Sequence, residues 1–286
     1  MTVLYGDLLQ GGGVLVLRVI SVIIAVIFGG SAGAQSSNLR SLETLEIGRE
    51  WAAVGRLILD HGVGFCTATL ISNDLILTAA HCLYDPDTGR KYELEGFEFQ
   101  AGWRNGRAES YRGIRAAAAH PQYLLTKKSD VNRLKYDVAL LRLDTPIRKS
   151  NIPPVAMTEL PKAGALVGVV SYARGRVNAP SIQDTCGVRN EYSGVLVMTC
   201  SVDYGASGSP VLVSSNGQPQ ITGVVSAMAE MNGRLVSLGT TLRSTVPDIL
   251  PLMAPKTEFS SVNQRRDTGA KFGSVAKRKA APLETE

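Results

Sequence analysis

The chain has 286 residues, of which 44% are hydrophobic and 19% are charged, which is enough apolar material for one large domain or two small ones. The formal net charge is +5, but residues 256–286 hold seven basic and four acidic side chains, and residues 1–34 are neutral. The body therefore carries only +2, which argues against a nucleic-acid-binding protein.

The first element in chain order is an apolar segment that we interpret as a signal peptide. Arg18 precedes the apolar run Val19–Phe28, and small residues ending at Ala34 follow it, as in secretory signals. We expect cleavage after Ala34, which removes residues 1–34 and leaves a secreted or periplasmic protein. The alternative is a membrane anchor, but spanning a bilayer takes about 20 apolar residues. The run extended back to Val14 has fifteen, with Arg18 among them. We expect membrane association only if this segment is not cleaved.

Short apolar runs separated by turn residues dominate the chain between Glu46 and Leu250, and helical periodicity is scarce there. The runs are Val54–Leu59, Cys66–Leu70, Leu75–Ala79, Val138–Leu143, Leu166–Tyr172, Val195–Cys200, Pro210–Val213 and Ile221–Ser226. Between them lie turn signals such as Ser72-Asn73-Asp74 and Ser215-Asn216-Gly217. Many short strands with such turns predict an all-β protein built from barrels or sandwiches.

A proline-containing segment, residues 150–154, is interpreted as a linker between two parts of similar size. We expect an N-terminal half over residues 35–149 and a C-terminal half over residues 150–254, each a small barrel. Residues 255–286 have few large apolar side chains. Because such a segment buries too little surface to offset its ordering entropy, we expect a disordered, basic tail.

The chain has four cysteines, Cys66, Cys82, Cys186 and Cys200. An even number behind an export signal is typical of two disulfides in an oxidising compartment. Four cysteines allow three connectivities, and pairing sequence neighbours, Cys66 with Cys82 and Cys186 with Cys200, is the simplest. The cysteines lie sixteen and fourteen residues apart without a Cys-x-x-Cys knuckle, so we expect no metal site.

Three short stretches carry the residue types of nucleophilic catalysis. His81 follows an apolar strand, Asp137 precedes one, and Ser207 lies in the glycine-flanked turn Gly205-Ala206-Ser207-Gly208-Ser209-Pro210. Each has an ordinary structural explanation alone, since a histidine beside a strand is usually structural and an Asp before a strand is commonly a turn residue. Their order along the chain, His then Asp then Ser, is that of the chymotrypsin arrangement.

Over residues 46–250 the sequence resembles the trypsin-like serine peptidases. Thr78-Ala79-Ala80-His81-Cys82 matches the family's histidine motif, Asp137-Val138-Ala139-Leu140-Leu141 its aspartate motif, and residues 205–210 its serine motif in a form common among bacterial members. His120-Pro121-Gln122-Tyr123 also resembles a segment that the family often places between its histidine motif and its aspartate motif. The resemblance implies two packed six-stranded Greek-key β-barrels with the active site in the cleft between them. It also implies a serine-type endopeptidase.

The chemistry explains why these residue types are needed. A serine hydroxyl is a weak nucleophile near neutral pH and needs a base within hydrogen-bond reach, a role we assign to His81. Asp137 would hold one ring nitrogen of His81 and stabilise the imidazolium. By the resemblance, the backbone N–H groups of Gly205 and Ser207 form the oxyanion hole.

The sequence departs from mammalian trypsin-like enzymes in two places that agree with each other. The residue before the nucleophile is Ala206 rather than Asp, and no Ile-Val-Gly-Gly precedes Trp51. We therefore do not expect activation by an ion pair to a newly released N-terminus. Counting from the nucleophile, the resemblance assigns the substrate pocket to Ser201, Ser226, Ala227 and Met228. Met228 would narrow the pocket and favour small or medium side chains.

The sequence leaves two main functions open, and a third, a hydrolase for esters, would use the same machinery. The first is an active endopeptidase that acts outside the cytoplasm on protein or peptide substrates, and the second is a catalytically silent relative that binds a protein partner through the same groove. The complete set of His81, Asp137 and Ser207 favours the enzyme. We expect a monomer that needs no cofactor or metal and binds no nucleic acid.

Overall fold

The structure is a computed structural model that describes residues 39–125, 131–159, 161 and 163–254. The predicted signal peptide, residues 1–34, and the predicted tail, residues 255–286, lie outside these residues, so both stay predictions. No helix in the described part of the chain has the length and apolar character needed to cross a membrane.

Strands are the main regular structure of the described chain. They are β1 Leu39–Ser41, β2 Val54–Leu59, β3 Gly64–Ser72, β4 Leu75–Thr78, β5 Glu98–Ala101, β6 Ser110–Ala119, β7 Ala139–Leu143, β8 Leu166–Ala173, β9 Arg176–Tyr192, β10 Val195–Met198, β11 Pro210–Ser215, β12 Gln218–Met231 and β13 Arg234–Thr241. The helices are single turns, α1 Leu45–Gly48, α2 Val131–Lys135 and α3 Val246–Ile249. Short 3₁₀ turns cover Arg49–Trp51, Asp60–Gly62, Ala80–Leu83, Leu94–Gly96 and Leu250–Met253. The predicted all-β class is confirmed.

The first half of the described chain is a closed barrel of six antiparallel strands. Its strand order is β2-β3-β4-β7-β6-β5, and β5 pairs back to β2. The pairing of β4 with β7 aligns Thr78 with Ala139. Because His81 follows β4 and Asp137 precedes β7, this register brings the two segments to the same end of the barrel.

The second half is a seven-stranded sheet with the order β1-β9-β10-β13-β12-β11-β8. An additional pairing of β8 with β9 returns the sheet on itself, so that six strands form a ring and β1 lies outside it. Strand β1 pairs with β9 through Leu39 and Gln183, although it precedes the first barrel in the chain. The boundary proposed between residues 149 and 150 falls in the connection between β7 and β8.

Alternating side chains of β4 and β7 explain why both strands are apolar without interruption. Ile76 and Leu141 belong to the buried cluster inside the first barrel. Leu77 and Leu140 point the other way, into a cluster that also contains Tyr172 of the second sheet. Because successive side chains of a strand point to opposite faces, a strand buried on both faces needs a continuous apolar run. These two strands therefore join the barrel core to the second sheet.

Candidate active site

His81 lies on a 3₁₀ turn, Ala80–Leu83, that follows directly from the buried strand β4. A disulfide between Cys66 and Cys82 ties this turn to strand β3, with 6.4 Å between the two Cα atoms. A second disulfide joins Cys186 and Cys200. Both are the pairs of sequence neighbours that the sequence favoured.

Asp137 holds His81 through two different atoms of the histidine. The carboxylate Oδ1 accepts the backbone N–H of His81 at 2.8 Å, and Oδ2 lies 2.7 Å from Nδ1 of the ring. Asp137 is 1% exposed. Because a carboxylate accepts hydrogen bonds, Nδ1 carries the hydrogen and Nε2 is left as an acceptor. The contact therefore orients the ring so that Nε2 faces away from Asp137.

The environment of Asp137 keeps its carboxylate ionised. Burial acts to raise the pKa of Asp137, but the adjacent His81 and the hydrogen bonds from His81 and Ser226 outweigh it, so the pKa lies below its ordinary value. The Ser226 hydroxyl donates to Oδ2, the same oxygen that faces the imidazole. A buried carboxylate with these donors can balance a positive charge formed on His81.

Ser207 lies in a tight turn that leads into strand β11. The turn is closed by two backbone hydrogen bonds, from Ala206 N–H to Asp203 at 2.9 Å and from Ser209 N–H to Ala206 at 3.0 Å. Ala206 is fully buried at 0% exposure. The absence of the activating ion pair stays a prediction, and the buried, uncharged Ala206 agrees with it.

Thr67, in strand β3 of the first barrel, binds the serine turn at two points. Its backbone N–H donates to the carbonyl oxygen of Ser207 at 2.8 Å. Its hydroxyl donates to the carbonyl oxygen of Gly205 at 2.9 Å and accepts the N–H of Tyr172 at 3.1 Å. Sequence reasoning missed Thr67, because only the tertiary structure brings β3 to this turn.

Two glycines beside Ser207 occupy positions that no other residue fits. Gly205 has φ +94°, and a Cβ atom there would lie 2.3 Å from the ring of Phe65. Gly208 has φ +79°, and its Cβ would lie 2.1 Å from Oγ1 of Thr78 and 2.3 Å from the carbonyl oxygen of Thr67. Both the left-handed backbone and the close packing against the first barrel require glycine.

His81 and Ser207 line one cleft of about 1560 Å³. Of the four residues predicted for the substrate pocket, Ser226, Ala227 and Met228 line this cleft, and Ser201 is not among the lining residues. Ser201 is exposed, and its N–H donates to Oε1 of Gln183 at 2.7 Å. Ser226 lies in the cleft wall, but its hydroxyl is directed to the catalytic candidate Asp137, a contact that sequence reasoning missed.

One group of potential metal ligands comes together among the described residues, and its chemistry does not suit a metal ion. Within the described part of the chain, atoms of Cys66, His81 and Cys82 lie within 4.8 Å of one another. The two cysteines form a disulfide, and a disulfide sulfur is not the thiolate that binds zinc. These residues therefore do not fit a metal site.

Comparison with known proteins agrees with this geometry. The sequence model of the family described as Trypsin matches residues 48–241. Mannan-binding lectin serine protease 1 of Homo sapiens is 32% identical over 128 residues, which cover 40% of this chain and 18% of that protein. Serine protease 23 of Mus musculus is 28% identical over 207 residues, which cover 63% of this chain and 53% of that protein. The chain thus spans about half, or less, of the length of these relatives.

The fold is shared with a solved structure described as Glu endopeptidase in complex with MPD. The superposition has a TM-score of 0.60 at 20% identity and covers 76% of this chain and 97% of the other. The chymotrypsin-like arrangement expected from the sequence is therefore confirmed at the level of the fold.

Proposed function

Because this chain belongs to the trypsin family of serine peptidases, we propose that it is an endopeptidase that hydrolyses peptide bonds with Ser207, His81 and Asp137. The observation that carries the proposal is the contact of the Asp137 carboxylate with both the ring and the backbone of His81, at 2.7 and 2.8 Å. The cleft that His81 lines is also lined by Ser207. No feature of the site favours a silent binding protein.

In the proposed reaction, Nε2 of His81 takes the hydroxyl proton of Ser207 while Oγ attacks the scissile carbonyl carbon. The resulting imidazolium is balanced by ionised Asp137. When the tetrahedral intermediate collapses, the C–N bond breaks and His81 returns the proton to the leaving amine. Water then repeats the sequence on the acyl-enzyme, so that Ser207 regains its proton and the acid product leaves.

The oxyanion formed in each step needs donors that are already in place. The proposed donors are the backbone N–H groups of Gly205 and Ser207. Neither N–H donates to another group within the described residues. Thr67 binds the carbonyl oxygens of the same two residues, Gly205 and Ser207, on the peptide units that follow these N–H groups. Such fixed donors cost no reorganisation when the charge develops, and losing one typically costs about 3–4 kcal/mol of transition-state stabilisation.

The two disulfides indicate that the protein folds in an oxidising compartment. We propose that it is exported to the periplasm or the medium with cleavage after Ala34, and that it acts there as a monomer on proteins or peptides. Mass spectrometry of protein recovered outside the cytoplasm tests the cleavage. If the protein is cleaved after Ala34, its first residue is Gln35. A first residue within the run Val19–Phe28, or a retained leader, contradicts it.

Labelling with a fluorophosphonate tests the nucleophile, because the reagent reacts with an activated serine. Wild type should be labelled and Ser207→Ala should not. Ser209→Ala is a matched control, since Ser209 lies in the same turn, is 0% exposed, and its hydroxyl has no hydrogen-bond partner among the described residues. Folded wild type that stays unlabelled, or Ser207→Ala that is labelled, contradicts the proposal. An unlabelled, folded wild type would favour the alternative, a catalytically silent protein that binds a partner through the same groove.

A further inference from the structure

Arg56 is a half-buried cation on strand β2 that lines the same cleft as Ser207. Its guanidinium carbon lies 4.3 Å from the ring centroid of Trp103 and 5.7 Å from that of Phe65. Nη1 of Arg56 donates to the carbonyl oxygen of Val177 at 3.2 Å. Two aromatic rings and a backbone carbonyl therefore hold the charged group in one place.

The charge of Arg56 is not balanced by a carboxylate of the described chain. Among the described residues its guanidinium has a single hydrogen bond, and the buried Nε has no partner. Burial lowers the pKa of Arg56 below its ordinary value, and Tyr172, Glu98 and Tyr111 offset this only in part. The Glu98 carboxylate accepts a hydrogen bond from Gln100 at 2.7 Å rather than from Arg56. Because arginine stays protonated in proteins, an anion from outside the chain would stabilise this group.

Arg174 lines the same cleft, but its charge is already paired. Its guanidinium carbon lies 4.2 Å from the ring centroid of Tyr204, and Nη2 lies 3.3 Å from Oδ1 of Asp203. Arg56 is therefore the better candidate of the two for binding a carboxylate of the substrate.

The position of Arg56 in the cleft indicates which part of a substrate it meets. Its neighbour Phe65 packs on Gly205 at the start of the serine turn, where a Cβ atom would lie 2.3 Å from the ring. Strand β3 carries Phe65 and is tied by a disulfide to the turn that holds His81. In the proposed reaction His81 gives its proton to the leaving amine. We therefore expect the leaving part of the substrate to run along this arm of the cleft, over Phe65 toward Arg56.

We propose that Arg56 selects substrates with an acidic side chain on the leaving-group side of the scissile bond. The inference rests on the proposed peptidase function and adds a substrate class to it. A carboxylate that reaches the guanidinium accepts charge-assisted hydrogen bonds from the donors that Val177 does not use. Since the site is only half-buried and partly screened by water, the contact should raise kcat/KM by about three- to tenfold.

Matched peptides that differ only by Glu or Gln at one position test this preference. Each peptide has one cleavage site, and the exchange is moved through successive positions on each side of it. In wild type, the ratio of kcat/KM for Glu over Gln should reach about three to ten on the leaving-group side. A ratio close to one at every position, or a preference for Glu confined to the acyl side, overturns the proposal.

Substitutions of Arg56 separate recognition from a structural role. Arg56→Gln should bring the ratio close to one, whereas Arg56→Lys should keep part of it because the positive charge remains. A loss of packing alone would lower kcat/KM for both peptides alike and leave their ratio unchanged. Arg148→Gln is the control for net charge, since Arg148 is exposed and is not among the residues that line the cleft. A wild-type ratio in Arg56→Gln, or an equal fall in Arg148→Gln, contradicts the inference.

Glu98→Gln should change the ratio in the opposite direction. Removing this carboxylate leaves the charge of Arg56 less offset, so the ratio should rise by about twofold. An unchanged or lower ratio in Glu98→Gln contradicts the inference. If wild type cleaves the Glu and Gln peptides equally well, only this inference fails; if it cleaves no peptide, the proposed function fails and this inference fails with it.

Discussion

The backbone N–H of Thr67 donates to the carbonyl oxygen of Ser207 at 2.8 Å, across the boundary between the barrel and the second sheet. The same residue binds the carbonyl oxygen of Gly205 through its hydroxyl at 2.9 Å. The position of the proposed nucleophile therefore depends on a strand far earlier in the chain, since Thr67 precedes Gly205 by 138 residues.

Thr67→Val should destabilise the protein and lower its activity. The substitution keeps the shape of the side chain but leaves the carbonyl of Gly205 and the N–H of Tyr172 without their partner, which costs about 1–3 kcal/mol. Thr69→Val is the matched control, because Thr69 is also 0% exposed in β3 and its hydroxyl has no partner among the described residues. Urea unfolding and kcat/KM measure the difference, and equal effects of the two substitutions contradict the prediction.

Gly208→Ala should be far more damaging than Gly217→Ala. Both glycines have positive φ, at +79° and +75°, but a Cβ on Gly208 meets Thr78 and the Thr67 carbonyl, whereas a Cβ on Gly217 meets nothing within 4 Å. We expect a loss of about 2–5 kcal/mol for Gly208→Ala, from strain and overpacking together, and about 1–2 kcal/mol for Gly217→Ala from backbone strain alone. Denaturant midpoints measure both, and similar midpoints would show that the close contact at Gly208 does not matter.

Asp137→Asn should abolish most of the activity while leaving the fold intact. An amide nitrogen facing Nδ1 of His81 would favour the wrong tautomer, and in triads of this type kcat falls about 10⁴-fold. Ser226→Ala removes one donor to the Asp137 carboxylate but leaves both contacts from His81, so a smaller loss, about tenfold, is expected. Steady-state kinetics on one peptide substrate checks both. Activity of Asp137→Asn within tenfold of wild type argues against the proposed triad.

Stability should fall as the pH drops below about 6.5, because His120 is held neutral in the fold. Burial lowers the pKa of His120 below its ordinary value, in spite of the opposing effect of Asp248, and Lys135 adds to the lowering. Its Nδ1 accepts the N–H of Gln122 at 3.1 Å, and its ring stacks on Tyr136. The unfolded chain therefore binds a proton at a higher pH than the folded chain does. Between these two pKa values stability rises with pH, and above the unfolded value this effect is complete.

Urea unfolding of His120→Gln at pH 5 and at pH 8 measures this contribution. The difference in stability between the two pH values should be smaller in His120→Gln than in wild type, because the substituted side chain takes up no proton. His61→Gln, which replaces an exposed histidine, serves as the control for a general effect of losing a histidine. An unchanged pH dependence in His120→Gln contradicts the prediction.

The sequence by itself determined the features that lie within short segments of chain. Apolar runs and turn residues predicted the all-β class, and contiguous motifs identified His81, Asp137 and Ser207 as candidates. The disulfide Cys66–Cys82 could also be proposed from the sequence, because its two cysteines are neighbouring cysteines along the chain. Strand periodicity and turn preference depend on residues next to each other, which is why sequence reasoning reaches them.

Only the tertiary structure decided which distant groups meet. Barrel closure and strand register bring the Ser226 hydroxyl to Asp137, leave Ser201 out of the lining of the cleft, and pair β1 with the second sheet. A count of residues from the nucleophile could not separate Ser201 from Ser226, because Ser201 lies in the irregular segment between β10 and β11, whose path the count does not give. Such contacts arise when segments far apart in sequence pack together, and no local pattern encodes the register in which they do so.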